Sequence, residues 1–294
     1  MKKNIFKLMS LLSVPFILLG CGKDDKSKEN EDGKVQVSVS ISPLKEFTEK
    51  IGGDKVNVQC LVPDNVEPHE FELKTRDFEE LTDKQIFIYN GLGMEEWLDK
   101  VKQQLNKSDV KFVDSSKGVD VRTEDGKQDP HIWLGLKEAQ VQCTNIKDAL
   151  VEKDPENKEY YEANYKEFTK ELDEVYKEFE PKLKGLNSKS FVTSHEAFGY
   201  LCRDFGLTQK YLNDMFGEGE PTAKDYEGLA KYCTENRVDT IFSEGTESSK
   251  EAETLANEIN GKIEPLYTLE TKVEGSSYVE VMRDNLQKIY DALK

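Results

Sequence analysis

The chain of 294 residues carries 41 basic and 58 acidic side chains, a formal net charge of −17. A surface of that sign repels phosphate backbones, which excludes nucleic acid as a partner, and repels anionic headgroups too. The acids are spread along the chain without a single-sign tail, as on a solvated surface, and the length suits one or two domains.

Residues 1–20 stand apart from the fold. Lys2, Lys3 and Lys7 flank the start of an apolar run from Leu8 to Leu19, broken by Ser10, Ser13 and Pro15. That run is shorter than the roughly 20 residues a spanning helix needs, and it reads as a secretory signal. The ending Leu18-Leu19-Gly20-Cys21 resembles a lipobox, where bacteria lipidate a cysteine and cleave before it. The expectation is a signal peptide over 1–20 and a lipid anchor on Cys21; the alternative is an uncleaved anchor with an incidental cysteine. Residues 21–34 are polar and charged, cannot bury a core, and read as a flexible tether.

Order begins with Val35 to Ile41, an alternating strand. Ser42-Pro43 opens a helix that ends near Gly52-Gly53, with Leu44, Phe47 and Ile51 on one face. Val56 to Val62 is a strand, Thr75 to Lys84 a helix, Ile86 to Tyr89 a strand, Met94 to Leu105 a helix, and Lys111 to Val113 a strand. A polar loop over Ser115 to Gln128 precedes a helix from about Leu136 to Val151. Asp154-Pro155 starts a further helix. Tyr161, Tyr165, Phe168, Leu172, Val175, Tyr176 and Phe179 keep helical spacing along it to about Leu183. Ser190 to Thr193, Asp239 to Phe242 and Lys262 to Tyr267 then read as strands. Glu196 to Phe205, Ser249 to Asn260 and Ser277 to Leu293 read as helices. Strand and helix in alternation argue for parallel sheets covered by helices. The fold class expected is α/β, with two parallel-sheet lobes over 35–153 and 187–294 joined by one long rigid helix over 154–186. The two halves share their alternation but no sequence repeat.

Cys60, Cys143, Cys202 and Cys233 lie far apart among apolar neighbours, with no CxxC pair. They read as small buried hydrophobes rather than metal ligands, and no disulfide pairing follows from their spacing.

The chain has three histidines. His69 follows the second strand, His131 lies in Asp129-Pro130-His131-Ile132-Trp133-Leu134, and His195 ends the strand that opens the second half. Ligands of open α/β sheets bind beyond the carboxyl ends of the strands, so two lobes meeting at such ends would gather the three histidines across a cleft. Three unrelated structural histidines are the bland alternative.

Four segments carry a resemblance: Glu67-Pro68-His69-Glu70-Phe71-Glu72, Asp129 to Leu134, Thr193-Ser194-His195-Glu196-Ala197-Phe198-Gly199-Tyr200, and Leu266-Tyr267-Thr268-Leu269-Glu270. With them, and with the long helix between, Val35 to Lys294 is similar to the metal-binding lipoproteins of bacterial ABC importers, the zinc-type ZnuA/AdcA-like group. The resemblance implies a metal held in the cleft between the lobes by His69 and His131 from the first and His195 from the second. It also implies a carboxylate after the last strand, matched here by Glu270, with Glu67 or a water as the alternatives. It implies an extracytoplasmic protein, held to the cell membrane by its lipid, that hands Zn²⁺ to a permease and its ATPase. Two departures stand out. Residues 115–128 hold no histidine where many zinc members carry a histidine-rich loop, and the segment after Glu270 is short. Manganese members place a carboxylate where this chain has His195, so Mn²⁺ is the less expected cargo.

Three imidazoles and one carboxylate would fill a tetrahedron around Zn²⁺ and cancel one of its two charges. A filled set suits capture, because catalysis needs an open position for water. Asp129 and Glu196 are candidates to orient the histidines, or simply solvent-facing acids. Two other classes remain. A zinc hydrolase would draw on His195-Glu196, half of HExxH, but Gly199 stands where that motif has its second histidine. A surface adhesin fits the tether and the acidity, yet leaves the histidines unexplained.

Overall fold

The computed structural model describes residues 33–294 apart from 65, 125, 217–220 and 246–249. Cys21, the signal segment and almost all of the tether lie outside the described residues. The alternating stretch at the start of the described chain forms β1 (Val35–Val39). It is joined by β2 (Val56–Cys60), β3 (Ile86–Tyr89) and β4 (Lys111–Asp114) in the order β2-β1-β3-β4, every pair parallel. Helices α1 (Ser42–Gly52), α2 (Thr75–Thr82) and α3 (Leu98–Gln104) connect the strands. Ile86 and Ile88 face the main core, whereas Phe87 and Tyr89 face a smaller cluster with Leu81 and Val101. Burial on both faces is what a parallel sheet between helices requires.

The polar stretch read as a loop contains a two-stranded antiparallel ladder, β5 (Thr123–Glu124) with β6 (Lys127–Gln128). Helix α4 (Leu136–Lys153) follows, then α5 (Lys158–Lys184). The second sheet is built from β7 (Ser190–His195), β8 (Thr208–Asn213), β9 (Thr240–Glu244) and β10 (Lys262–Leu266), in the order β10-β9-β7-β8 and again parallel. Helices α6 (Gly199–Phe205), α7 (Ala223–Asn236), α8 (Lys250–Ile259) and α9 (Tyr278–Leu293) cover it. Counted along each half, both sheets run second, first, third, fourth strand. The halves therefore share a winding that their sequences do not reveal. Two elements begin later than the periodicity suggests. Residues 91–97 turn through left-handed Gly91, Leu92 and Gly93 before α3 begins, and α6 begins at Gly199 rather than Glu196.

Helix α5 has 27 residues, about 40 Å at 1.5 Å per residue. Tyr161, Phe168, Leu172, Val175, Phe179 and Leu183 are buried along one stripe of it. That stripe packs on α1 and α4 toward one end and on α6 and α9 toward the other. A single apolar cluster consequently runs from β1 through α5 to α9. Cys143, Cys202 and Cys233 are buried, Cys60 is half-buried, and all four are free thiols. No helix among the described residues is long and apolar enough to cross a membrane.

Phe168 meets Phe47 of α1 with ring centroids 5.6 Å apart. Phe168→Ala should cost about 3–5 kcal/mol of stability, read from the midpoint of a urea transition. A loss below about 1 kcal/mol would show that the fold does not depend on this seam.

Candidate metal centre

Each histidine sits at a carboxyl end of a strand or in a turn that such an end feeds. His195 closes β7, and its carbonyl accepts from Gln209 Nε2 at 2.8 Å. His69 lies in a 3-10 turn over Pro68–Glu70, which Glu67 caps by accepting from the His69 backbone N–H. His131 precedes a second such turn, Ile132–Leu134. Asn90, just past β3, donates to the Pro130 carbonyl at 2.8 Å and accepts from Gln142 Nε2 at 3.0 Å, so a buried polar network aims this loop. Glu270 follows β10 and comes after Leu269, whose φ of +63° is in the left-handed region. A non-glycine residue rarely adopts that backbone unless its surroundings impose it. Here Trp133, three residues before α4, donates its indole N–H to the Thr268 carbonyl at 2.7 Å. That bond spans the two halves and holds the His131 turn against the Glu270 turn. Both turns follow the fourth strand of their sheet.

The side chains of all four residues meet. His131 Nε2 stands 3.4 Å from His69 Nε2, 3.2 Å from His195 Nε2 and 3.0 Å from Glu270 Oε1. Glu270 Oε1 is 3.4 Å from His69 Nε2 and 3.9 Å from His195 Nε2. All four atoms lie within 4.8 Å of one another. A tetrahedron with metal–ligand bonds of about 2.0–2.1 Å has edges of roughly 3.3 Å, and the observed separations bracket that figure. His131 is fully buried and Glu270 is 3% exposed.

Charge is divided unevenly across the cluster. Burial alone would lower the His131 pKa, yet its hydrogen bonds to Asp129 and Glu270 push it up to about 10. His195 is lowered to about 4, chiefly by burial. Burial opposes ionisation of Glu270, but His131 and His69 hold it well below the usual carboxylate range. Glu67 and Glu244 form a second group with Glu270, their oxygens within 4.8 Å. Burial, then the charge of Glu270, raises Glu67 to about 8 and Glu244 to about 9. These acids line a cavity of about 210 Å³ beside the histidines, along with Asn213 and Phe216.

The structure thus brings together His69, His131, His195 and Glu270. Glu67 falls in the neighbouring acidic group instead. Of the two acids flagged as orienting groups, Asp129 accepts from His131 Nδ1 at 3.0 Å. Glu196 is buried and raised to about 7 by burial and then by Asp129, beside Tyr211 rather than on a histidine ring. Sequence reasoning missed Glu244, and it met Trp133 and Leu269 only inside the segments that carry the resemblance, without a role for either.

The model of the family described as zinc-uptake complex component A, periplasmic (ZnuA), matches residues 37–292. The chain is 34% identical over 306 residues to the high-affinity zinc uptake system protein ZnuA of Bacillus subtilis (strain 168), covering 96% of each chain. It is 31% identical over 307 residues to the manganese ABC transporter substrate-binding lipoprotein PsaA of Streptococcus mitis, covering 99% of each. Among solved structures, the laminin binding protein Lmb of Streptococcus agalactiae, described as a bifunctional protein with adhesin and metal transporting activity, matches with a TM-score of 0.84. The identity there is 30%, over 89% of this chain and 100% of that one.

Imidazole must be deprotonated to bind a metal. Near pH 7.5 His131, raised to about 10, holds a proton on both ring nitrogens, while His195, lowered to about 4, is neutral. A titration with Zn²⁺ in two buffers of different ionisation enthalpy should show at least about one proton released per ion. Affinity should rise about tenfold per pH unit between about pH 7 and 9. The metal-free fold should respond oppositely: the stability contributed by His131 is fully present below about pH 6.5 and is lost as pH rises through about 10. A pH-independent affinity with no proton release would contradict this charge distribution.

Proposed function

The chain belongs to the ZnuA family of zinc-uptake components, and we propose that it captures Zn²⁺ outside the cytoplasm and delivers it to the permease and ATPase of an ABC importer. The observation that carries this reading is the convergence of three imidazole nitrogens and one carboxylate oxygen, at separations of 3.0–3.9 Å, on one buried point. In this reading His69, His131, His195 and Glu270 are the ligands. Zn²⁺ among them would keep one net positive charge against the Glu270 carboxylate. All four positions of the tetrahedron are then taken by protein, which suits holding and releasing an ion. The family is one of substrate-binding proteins for metal transport and not of enzymes. The lipobox-like Leu18-Leu19-Gly20-Cys21 supports attachment to the membrane through a lipid on Cys21.

Manganese is the second reading, favoured by the similarity to PsaA. The donor set argues against it: three nitrogens to one oxygen suit a borderline ion, and Mn²⁺ prefers oxygen and sits at the bottom of the divalent affinity order. That order favours zinc at almost any nitrogen site, so binding in the tube needs a cellular partner experiment.

Replacing His69, His131 or His195 by alanine should each weaken Zn²⁺ binding at least a hundredfold, and Glu270→Gln less, because water can take its place. Zn²⁺ at about a thousand times its dissociation constant should stabilise the wild type by roughly 4 kcal/mol, and Mn²⁺ at the same concentration far less. A histidine variant that binds as tightly as wild type is not a ligand variant. If a deletion strain fails only when manganese is scarce and this protein restores it, the cargo is manganese. Cys21→Ser should shed the protein from membranes into the surrounding fluid, and continued membrane retention would remove the lipid anchor from the proposal.

A further inference from the structure

We infer that Arg122 is a positioning residue for the metal centre, reaching from the loop ahead of β5 to clamp Asp129 in the orientation that aims the His131 ring. The inference rests on the reading of His131 as a ligand. Asp129 uses its two oxygens for different partners. Oδ1 accepts from both the backbone N–H and the Nδ1 of His131, each at 3.0 Å. Oδ2 accepts from Arg122 Nη1 at 2.6 Å. A carboxylate turns easily about its last torsion, and a lone acid behind a histidine would sample orientations that release the ring. A charge-assisted bond on the far oxygen removes that freedom. With Oδ1 fixed, the His131 Nδ1–H keeps its partner and Nε2 faces the point on which the other three donor atoms converge.

The surroundings are built for this contact. The Arg122 backbone N–H donates to the Tyr200 hydroxyl at 3.1 Å, and that hydroxyl donates to the Asp129 carbonyl at 2.8 Å. The Asp129 N–H closes the ring by donating to the Arg122 carbonyl at 3.0 Å. Gly199, at the start of α6, supplies the space. A Cβ there would stand 1.1 Å from Arg122 Nη1 and 2.8 Å from Asp129 Oδ2. The guanidinium therefore occupies the place a side chain of α6 would fill. The loop that lacks histidines thus contributes one cation to the site's support. Arg203, one turn along α6, offers a contrast on the same seam: it binds Asp120 and Glu138 and does not touch Asp129.

The test uses the full-length protein with Zn²⁺ and, as a spectroscopic stand-in, Co²⁺, whose visible absorption reports coordination geometry. Arg122→Met should weaken Zn²⁺ binding about tenfold or more and change the Co²⁺ spectrum. Arg122→Lys, which keeps a cation within reach of Asp129, should recover most of both. Arg203→Met should leave affinity and spectrum at wild-type values, although it too loses an ion pair of this seam. Thermal unfolding of the metal-free forms separates positioning from folding, since both methionine variants should melt alike. If Arg122→Met keeps the wild-type affinity and spectrum, or if Arg203→Met loses as much, the positioning role is overturned while the ligand reading stands. If His131→Ala binds as wild type does, the ligand reading fails and takes this inference with it.

Discussion

Four lone pairs aimed at one small volume cannot stay there unless something positive stands among them. In the metal-free protein that charge is the proton on His131, held between the carboxylates of Asp129 and Glu270 against the full cost of burying it. The neighbouring acids respond to the same constraint. Glu67 and Glu244, close to the ionised Glu270, are raised until they hold protons near neutral pH. In the proposed reading the donor atoms already face one point, and a divalent ion would take the place of the proton there.

That arrangement depends on two sheets delivering their strand ends to one place. Both sheets have the same winding, so the loop after the fourth strand emerges at equivalent points in each half, carrying His131 in one and Glu270 in the other. Direct bonds then fix the spacing between those loops. Trp133 bonds to Thr268 across the halves, and Tyr278 of α9 donates its hydroxyl to the Trp133 carbonyl. The left-handed backbone at Leu269 is the local cost of turning Glu270 inward under these ties.

Much of the fold was legible because its signals are local. Val35 to Val39 alternates as a half-core strand should, and the aromatic stripe from Tyr161 to Phe179 keeps helical spacing over several turns. The three histidines were legible because a chain with so few places each of them at a strand end or turn. Helix α7 and strand β8 were not found. Tyr226, Leu229, Ala230 and Cys233 do keep helical spacing in α7, but only Cys233 is fully buried, so the stripe is short and weak, and β8 alternates between exposed and half-buried polar side chains before Leu212. Glu270 came through family resemblance alone, since what places it is a bond between residues 135 positions apart. A choice between Asp129 and Glu196 needed geometry too. Two residues before the histidine, a side chain can fold back onto the ring, whereas the residue directly after it leaves the strand in another direction. Arg122 carried no signal of its own within the polar loop; its bond to Asp129 and the space at Gly199 show where it goes.

The apolar cluster that passes without a break from β1 through α5 to α9 bears on how such a protein is lost as well as how it works. Neither half owns the larger part of its interior. Local melting or a proteolytic nick in one half withdraws packing from the other, so opening tends toward the global transition rather than toward a stable half-molecule. Three donors and the fourth come apart in the same event. Under the proposed function, losing that shared interior would disperse the four donors together, and with them the hold on the cargo.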